Sequence, residues 1–285
     1  MPLKKIRNTF ELIKFSHSIF AMPFALGSML IAAHGMPAPV VIFRIILALV
    51  FARTSAMAFN RWLDADIDAK NPRTQDRHIP AGSLSKRYTL TLTLLSSLGF
   101  IYISFLLGSL CFYLSPLVLL VLFFYSYTKR FSSYTQLFLG LALGIAPVGA
   151  WIAVTNSFNL VPILLCVAVL FWVAGFDILY ATQDYDFDKA TGLHSMVVKF
   201  GIPRSLIIAR FMHAVSFLIF LATGFVAHLH WPYFAGLGMM AILFVYQHSL
   251  IRAENLSRID AAFFKANGLI SLIFLAAVYF GLQRI

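Results

Sequence analysis

The sequence predicts an all-α, multi-pass membrane bundle, and three observations support that prediction. Of its 285 residues, 60% are hydrophobic and only 12% are charged, a balance typical of integral membrane proteins. Apolar runs of about 20 residues, the length that crosses a bilayer as a helix, recur along the whole chain. Lysine and arginine are concentrated in every second connection between these runs, as in proteins that follow the positive-inside rule. The runs lack the alternating pattern of barrel strands, so we expect helices.

Nine of these runs are candidate transmembrane helices. The first contains Pro23 and has no convincing small-residue cleavage site, so we expect a retained helix and not a removed signal peptide. In order, the predicted spans are residues 15–34, 40–60, 88–107, 110–127, 134–154, 160–182, 205–227, 231–251 and 263–282. We expect the chain, residues 1–285, to form a single membrane domain.

The basic residues predict an orientation for the bundle. Lys4, Lys5 and Arg7 precede the first span, and further Lys and Arg follow the second, fourth, sixth and eighth spans. The intervening connections, near residues 36, 110, 156 and 228, contain none. This alternation predicts a cytoplasmic N-terminus in a bacterial inner membrane. Because topology accounts for the net charge of +11, we expect neither a nucleic-acid partner nor an obligate protein partner.

Most of the 11 acidic residues lie in two clusters, NRWLDADID (60–68) and DILYATQDYDFD (177–188). Each cluster ends a long apolar run and opens a polar loop rich in Gly and Pro, 61–87 and 183–204. Carboxylates at such boundaries are costly without partners, and a hard divalent cation with an anionic substrate is a natural partner.

The spacing within the clusters selects particular side chains. Asn60, Asp64 and Asp68 are spaced i, i+4, i+8, and so are Tyr180, Asp184 and Asp188. On a helix, residues four apart share a face, so each motif is expected to present two carboxylates on one stripe. A single DxxxD is usually a set of solvated acids that balance nearby bases, but two at matching depth favour Mg²⁺ bound with a phosphorylated substrate. Asp66 and Asp186 fall off the stripes and are expected to face solvent or to support the ligands without binding the ion.

Basic residues on the same side of the predicted bundle suit a diphosphate, although any one of them alone is more often a topology determinant. They are Arg61, Arg73, Arg77, Lys129, Arg130, Lys189 and Lys199. Arg53 differs, because it lies two turns inside the second span, where an arginine costs about 2.5–3.5 kcal/mol. We expect Arg53 to face a polar cavity or a carboxylate.

These residues resemble the UbiA superfamily of intramembrane aromatic prenyltransferases over essentially the whole chain. The resemblance rests on NxxxDxxxD, on DxxYAxxDxxxD, and on the segments NPRTQDRHIPAG (71–82), YSYTKRFSSYTQLFLG (125–140) and KATGLHSMVVKFG (189–201). It implies nine helices around a central cavity that opens toward lipid. It also implies Mg²⁺-dependent transfer of a polyprenyl group from its diphosphate to an aromatic acceptor in ubiquinone or menaquinone biosynthesis.

The resemblance also assigns roles to individual residues. It implies that Mg²⁺ and diphosphate are bound by Asn60, Asp64, Asp68, Asp184 and Asp188, that the phosphates are held by Arg73, Arg77, Lys129 and Arg130, and that Tyr125 and Tyr180 line the site. The expected acceptor is 4-hydroxybenzoate. Arg61 after Asn60, and Lys14 and His17 in IKFSHSIFAMPFAL, depart from the pattern of that subgroup. A menaquinone precursor of the futalosine route and haem therefore remain alternative acceptors. A cation-coupled transporter is an alternative of another class.

Overall fold

A computed structural model describes residues 7–9, 11–13, 21–251, 256, 259 and 265–283, and all regular structure among these residues is helical. Lys4, Lys5, Lys14, His17, Arg252, Arg258 and Arg284, on which parts of the orientation and acceptor predictions rest, lie outside the described residues. The helices are α1 (Met22–Ala33), α2 (Pro39–Asp68), α3 (Lys86–Leu107), α4 (Ser109–Thr128), α5 (Thr135–Thr155), α6 (Leu160–Ala181), α7 (Tyr185–Thr191), α8 (Met196–Phe200), α9 (Ile202–Val226), α10 (Trp231–Ser249) and α11 (Asn267–Gly281).

Six of the described helices are long and apolar enough to cross a membrane, which makes this a multi-pass membrane protein. They are α2, α3, α4, α5, α6 and α9, the predicted second to seventh spans. Helices α1 and α11 are apolar but shorter, and α10 occupies the predicted span 231–251. Residues 15–20 and 263–264 of the predicted outer spans lie outside the described part of the chain.

Two helix boundaries near the acidic motifs differ from the predicted spans. Helix α2 continues eight residues past the predicted end of its span, from Asn60 to Asp68, so the first motif lies wholly within a helix. Helix α6 ends at Ala181 and is followed by a 3₁₀ turn, Thr182–Asp184, and then by α7 and α8. The predicted polar loop 183–204 therefore contains the short helices α7 and α8. Apolar runs mark the lipid-embedded part of a helix and do not mark its polar extension into the interface.

Local side-chain chemistry fixes where several helices begin. Ser85 accepts a hydrogen bond from the Tyr88 backbone N–H (3.2 Å) at the start of α3, and Asn159 accepts one from Val161 (3.1 Å) before α6. Ser195 accepts from Val198 (3.1 Å) and so begins α8. Each cap satisfies a backbone donor that the first helical turn leaves without a partner.

The described helices pack as two compact units. Unit 1 comprises the described residues within Met1–Ser18 and Val40–Ser126, and therefore holds α2, α3 and nearly all of α4. Unit 2 comprises the described residues within Ile19–Pro39 and Tyr127–Ile285, and holds α1 and α5 to α11. The first acidic motif belongs to unit 1 and the second to unit 2.

Polar contacts inside apolar helices hold unit 1 together. Ser55 of α2 is hydrogen-bonded to Ser97 of α3 (2.7 Å), and the Arg44 guanidinium donates to the carbonyl of Leu106 at the other end of α3 (2.7 Å). The rings of Phe59 in α2 and Phe123 in α4 lie 4.5 Å apart. These contacts set the position of α2, which carries the first motif, against its two neighbours.

Helix α6 is the central helix of unit 2. Its Trp172 is fully buried and contacts Phe24 of α1 at a ring distance of 4.8 Å. Phe24 also contacts Phe220 of α9 (5.5 Å) and Phe274 of α11 (4.6 Å). Helix α6 has buried apolar residues on all its sides, as a helix surrounded by other helices requires. The second motif begins at the end of this helix, which is the most buried membrane-crossing helix of the unit.

Glycines bring α5 unusually close to α6. A Cβ built on Gly140 would lie 2.3 Å from the carbonyl oxygen of Leu170, and one on Gly144 would lie 2.5 Å from that of Cys166. Small residues four apart allow the backbones of two membrane helices to approach in this way. Gly149, on the same helix, has nothing within 4 Å of the corresponding position.

We expect Gly140→Ala to destabilise the protein by about 1–3 kcal/mol, because the new methyl group meets backbone that cannot rotate away. The measurement is the thermal unfolding midpoint of the purified protein in detergent. Gly149→Ala is the matched control and should leave the midpoint unchanged or slightly raised. Equal midpoints for the two variants would contradict the close packing of α5 on α6.

Candidate active site

The first acidic motif lies along one face of α2, as its spacing predicts. The Asn60 amide donates a hydrogen bond to the Asp64 carboxylate (3.1 Å) and lies 3.4 Å from the Ser126 hydroxyl of α4. Asp64 and Asp68 are only 2% and 4% exposed. Two carboxylates buried on one stripe need cationic partners, because burying a lone charge is strongly unfavourable.

Two arginines are cationic partners of Asp68. The Arg77 guanidinium contacts Asp68 Oδ1 at 2.7 Å, and that of Arg61 lies 3.9 Å from Oδ2. Oδ2 is buried and has no hydrogen-bond donor in the described structure. Asp68 Oδ2 therefore has lone pairs that accept no hydrogen bond in the described structure, and these can bind a further cation.

The segment after α2 folds back so that its arginines return to the motif. Asn71 accepts a hydrogen bond from the Arg73 backbone N–H (2.9 Å), and the Thr74 hydroxyl donates to the carbonyl of Asp68 (3.1 Å). These side-chain contacts build a tight series of turns. They bring Arg73 and Arg77 into one pocket of about 310 Å³ with Arg61 and Asp68. Glu11 and Asp76 also line this pocket, and its three guanidinium groups are the part that suits phosphate oxygens.

Arg53 and Tyr125 extend the same site of unit 1 into the apolar part of α2 and α4. Arg53 lies two helical turns before Asn60 and is partly buried. The Tyr125 phenol is within electrostatic range of Arg53, Arg61 and Asp64. Arg53 therefore lies near a polar side chain within the apolar part of its helix.

The second motif has a different local structure from the first. Tyr180 lies at the end of α6, Asp184 closes the 3₁₀ turn, and Asp188 lies on α7, so the three do not share a single regular helix. The Thr182 hydroxyl donates to the carbonyl of Leu179 (2.7 Å), a bond that competes with the regular helical pattern at this point. Asp184 and Asp188 are both partly buried. A 3₁₀ turn therefore interrupts the helix on which the stripe was predicted, and the shared face of Asp184 and Asp188 stays a prediction.

The turn between α4 and α5 lies beside the segment that follows the second motif. The backbone N–H of His194 donates to the carbonyl of Lys129 (2.8 Å), and that of Met196 donates to the buried side chain of Gln136 (3.2 Å). The Lys199 ammonium donates to the Tyr134 hydroxyl (3.0 Å). These bonds hold the turn that carries Lys129 and Arg130 against the segment that begins at α7.

The predicted site residues are thus divided between the two units. Unit 1 contains Arg53, Asn60, Asp64, Asp68, Arg73, Arg77 and Tyr125, and unit 2 contains Lys129, Arg130, Tyr180, Asp184 and Asp188. Asp66 and Asp186 are exposed, as their position off the stripes predicts, and Asp66 pairs with Lys86 (2.8 Å).

Two residues near the site were not singled out from the sequence, Ser126 beside Asn60 and Gln136 beside Met196, and the pairing of Arg61 with Asp68 was not predicted. Arg61 was visible as one of several basic residues after the second span. Nothing in the spacing of Ser126 or Gln136 indicated their partners, because both contacts join segments at least 60 residues apart.

The donor chemistry of both motifs fits a hard divalent cation. Each motif supplies two aspartates, and the first adds the side chain of Asn60. Within the described residues, no group of three or more His, Cys, Asp or Glu side chains lies together as a ready-made metal site. Mg²⁺ usually binds one or two carboxylates and completes its shell with water and substrate phosphates, so a pair of aspartates matches its requirements.

Comparison with known proteins adds independent findings. A model of the UbiA prenyltransferase family matches residues 21–273. The 4-hydroxybenzoate octaprenyltransferase of Alcanivorax borkumensis is 34% identical to this chain, over 78% of this chain and 76% of the relative. The enzyme of the same name from Methylobacillus flagellatus is 32% identical, over 88% of this chain and 85% of the relative.

Solved structures show the same fold. The apo structure of a UbiA homolog from Aeropyrum pernix K1 aligns with a TM-score of 0.84 and 29% identity, covering 92% of this chain and 97% of that chain. A UbiA homolog from Archaeoglobus fulgidus, bound to GPP and Mg²⁺, aligns with a TM-score of 0.72 and 18% identity, covering 95% of this chain and 98% of that chain. At 18% identity, this second likeness concerns the fold alone.

Proposed function

We infer the reaction of this chain from its family, because the chain belongs to the UbiA prenyltransferase family. We propose that it transfers a polyprenyl group from a polyprenyl diphosphate to 4-hydroxybenzoate, in quinone biosynthesis. The observation that carries this proposal is the pocket of unit 1, where Arg61 and Arg77 contact the buried Asp68 and Arg73 also lines the pocket. The names of the relatives support 4-hydroxybenzoate as the acceptor over haem or a menaquinone precursor.

The reaction breaks the allylic C–O bond of the donor and releases diphosphate. An aromatic ring carbon of the acceptor then forms a bond to the allylic carbon, and the ring loses a proton. Negative charge grows on the departing diphosphate as the C–O bond breaks. The groups that we propose to stabilise that charge are Arg73 and Arg77 from the segment after α2, with Lys129 and Arg130 from the turn between α4 and α5.

Asn60, Asp64, Asp68, Asp184 and Asp188 are the residues that we propose to hold Mg²⁺. The ion supplies charge neutralisation at the diphosphate oxygens when it is bound. The fit rests on the oxygen donors of this chain, and the Archaeoglobus fulgidus homolog supports it, because a protein of the same fold is bound to both GPP and Mg²⁺. Asp68 is already held by Arg61 and Arg77, so we expect it to orient those arginines as well as to bind the ion.

Arg53 is the residue that we propose to bind the carboxylate of the acceptor. It lies within an apolar helix, where an arginine is expected only opposite an anion or a polar cavity. Tyr125, close to Arg53 and Asp64, lies on the same side of unit 1 and is proposed to line the substrate site. Tyr180, at the end of α6, is proposed to line it from unit 2.

The distribution of Lys and Arg and the family match also support a location and orientation for the chain in the membrane. We propose a nine-helix bundle around a central cavity in a bacterial inner membrane, with the N-terminus and both acidic motifs on the cytoplasmic side. The loops with Lys and Arg support this orientation, and the family match across residues 21–273 supports one domain built from both units. A membrane-embedded site also suits a long isoprenoid donor, which partitions into lipid and not into water.

The experiment that tests the function uses membranes containing the chain, a radiolabelled polyprenyl diphosphate and a panel of acceptors. We expect product with 4-hydroxybenzoate and at least tenfold less with haem or with an aromatic menaquinone precursor. Product only with one of the other acceptors would replace 4-hydroxybenzoate while leaving prenyl transfer intact. No product with any acceptor, together with cation flux in vesicles, would support the transporter alternative.

Arg53→Leu should raise the KM for 4-hydroxybenzoate by about tenfold or more, because a charge-assisted hydrogen bond of about 1.5–3 kcal/mol is lost. The KM for the prenyl diphosphate should change by less than twofold. Arg44→Leu is the control, since Arg44 is also an arginine of α2 but donates to the carbonyl of Leu106. An unchanged acceptor KM in Arg53→Leu would make Arg53 a structural residue.

A further inference from the structure

A groove between α9 and α10 lies outside the proposed active site. Its volume is about 620 Å³, and its walls are largely apolar, with Phe217 and Leu218 on α9 and Ala241 on α10. Leu218 and Val245 are 60% and 72% exposed, so the groove opens outward from unit 2. Helix α9 is one of the membrane-crossing helices, and its open surfaces therefore face lipid.

The groove has one polar end and one apolar end. The two helices run antiparallel, because His213 pairs with His248 near the end of α10, whereas Phe225 contacts Phe234 near its start (4.9 Å). Arg210 and His248 therefore lie at the same end of the groove, and both line it. Leu218 and Ala241 lie toward the opposite end, about two helical turns away.

The polar end is held in a defined arrangement. His213 Nε2 lies 3.2 Å from the carbonyl oxygen of Trp172, so that nitrogen carries a proton and donates. His213 Nδ1 then accepts from His248 Nε2 at 2.9 Å. His248 Nδ1 is then an unprotonated acceptor, and its ring lies within electrostatic range of the exposed Arg210.

Arg210 needs a negative partner in this environment. It lies eight residues into α9, about 12 Å along the helix axis from Ile202. No acidic side chain among the described residues lines the groove. An arginine within an apolar helix is unfavourable unless it meets an anion or reaches the interface.

We propose that this groove binds one anionic phospholipid. The headgroup phosphate lies at Arg210, beside the His248 ring, and an acyl chain follows the apolar wall past Leu218 and Ala241. The charge complementarity selects this occupant, because the positive end faces an acidic headgroup but would repel the ammonium group of a zwitterionic lipid. The proposal does not depend on the prenyl-transfer function.

Native mass spectrometry of the detergent-purified full chain tests this proposal. Phosphatidylglycerol and phosphatidylcholine with identical acyl chains are titrated, and the affinity of the first lipid bound is compared. We expect tighter binding of phosphatidylglycerol, and an approximately fivefold loss of that affinity in Arg210→Gln, as for one arginine near an anionic headgroup. Arg204→Gln is the matched control, because Arg204 is also exposed on α9 but does not line the groove. It should change the affinity by less than twofold.

A second variant tests the apolar half of the site. Ala214→Phe fills the groove from an exposed position and should weaken binding of both lipids without altering charge. Equal affinity for the two lipids, or equal losses in Arg210→Gln and Arg204→Gln, would overturn the proposal. So would a raised KM for the prenyl diphosphate in Arg210→Gln when no phosphatidylglycerol is present, which would make the groove a donor site.

Discussion

Replacing Asp64 by alanine should reduce prenyl transfer by about 10²–10³-fold, the range seen when one charge-stabilising group is removed from an active site. Asp64 is buried on the stripe of the first motif and accepts a hydrogen bond from Asn60 at 3.1 Å. Its removal takes away a proposed Mg²⁺ ligand and leaves the Asn60 amide without that acceptor. The measurement is kcat/KM with labelled polyprenyl diphosphate at saturating 4-hydroxybenzoate and Mg²⁺.

Asp66→Ala provides the control for this substitution. Asp66 is two residues away in the same helix, but its side chain is 85% exposed and pairs with Lys86 at the surface. We expect near wild-type turnover, because surface ion pairs contribute little. Gel filtration in detergent checks that both variants yield equal amounts of folded protein from the membrane. If they do, a lower turnover reflects lost catalysis and not failed membrane insertion. Turnover of Asp64→Ala within a few-fold of Asp66→Ala would remove Asp64 from the metal site.

The contrast between these two aspartates also shows what the sequence could predict. Their exposure follows from helical periodicity alone, since residues four apart share a face and a residue two positions away does not. The six confirmed spans follow from apolar length in the same way. Predictions that depend on local repetition along the chain were therefore correct for these features of the part of the chain that the structure describes.

Spacing alone does not predict where the chain departs from that repetition. The spacing of Tyr180, Asp184 and Asp188 is the same as that of the first motif, yet a 3₁₀ turn interrupts the helix between them. The side chain of Thr182 bonds to the backbone at this point, and such local competition is not visible as a change of hydrophobic pattern. Identical spacing in a sequence therefore does not ensure identical geometry.

The pairing of side chains through turns and between distant segments was the least predictable part of the site. The bond of Asp68 to Arg77 depends on turns built by Asn71 and Thr74, and the contact of Gln136 with Met196 joins residues 60 apart. The sequence indicated that arginines and aspartates belonged to one chemistry, but it could not assign partners. The structure adds that Asp68 is held by two arginines, so a role in orienting phosphate-binding groups accompanies its proposed role as a ligand.

The effects of Asp64→Ala and Asp184→Ala should be strongly non-additive. If both motifs act on one diphosphate, removal of either aspartate already disables the site, and the double variant should be no more than a few-fold worse than the poorer single variant. Independent sites would instead multiply the two losses. The measurement is single-turnover transfer at high enzyme concentration, which keeps the residual rates above background.

Two control experiments accompany the comparison of the single and double variants. The double variant Asp66→Ala/Asp186→Ala removes the exposed aspartate of each motif and should retain near wild-type transfer. EDTA should abolish wild-type transfer, and added Mg²⁺ should restore it, because the proposed site depends on a divalent cation. The motifs would serve separate sites if the loss of transfer rate in Asp64→Ala/Asp184→Ala equalled the product of the two single losses. Each single variant would then still respond to Mg²⁺ as the wild type does. Non-additive losses with a raised Mg²⁺ requirement in both single variants are the result that one shared diphosphate site requires.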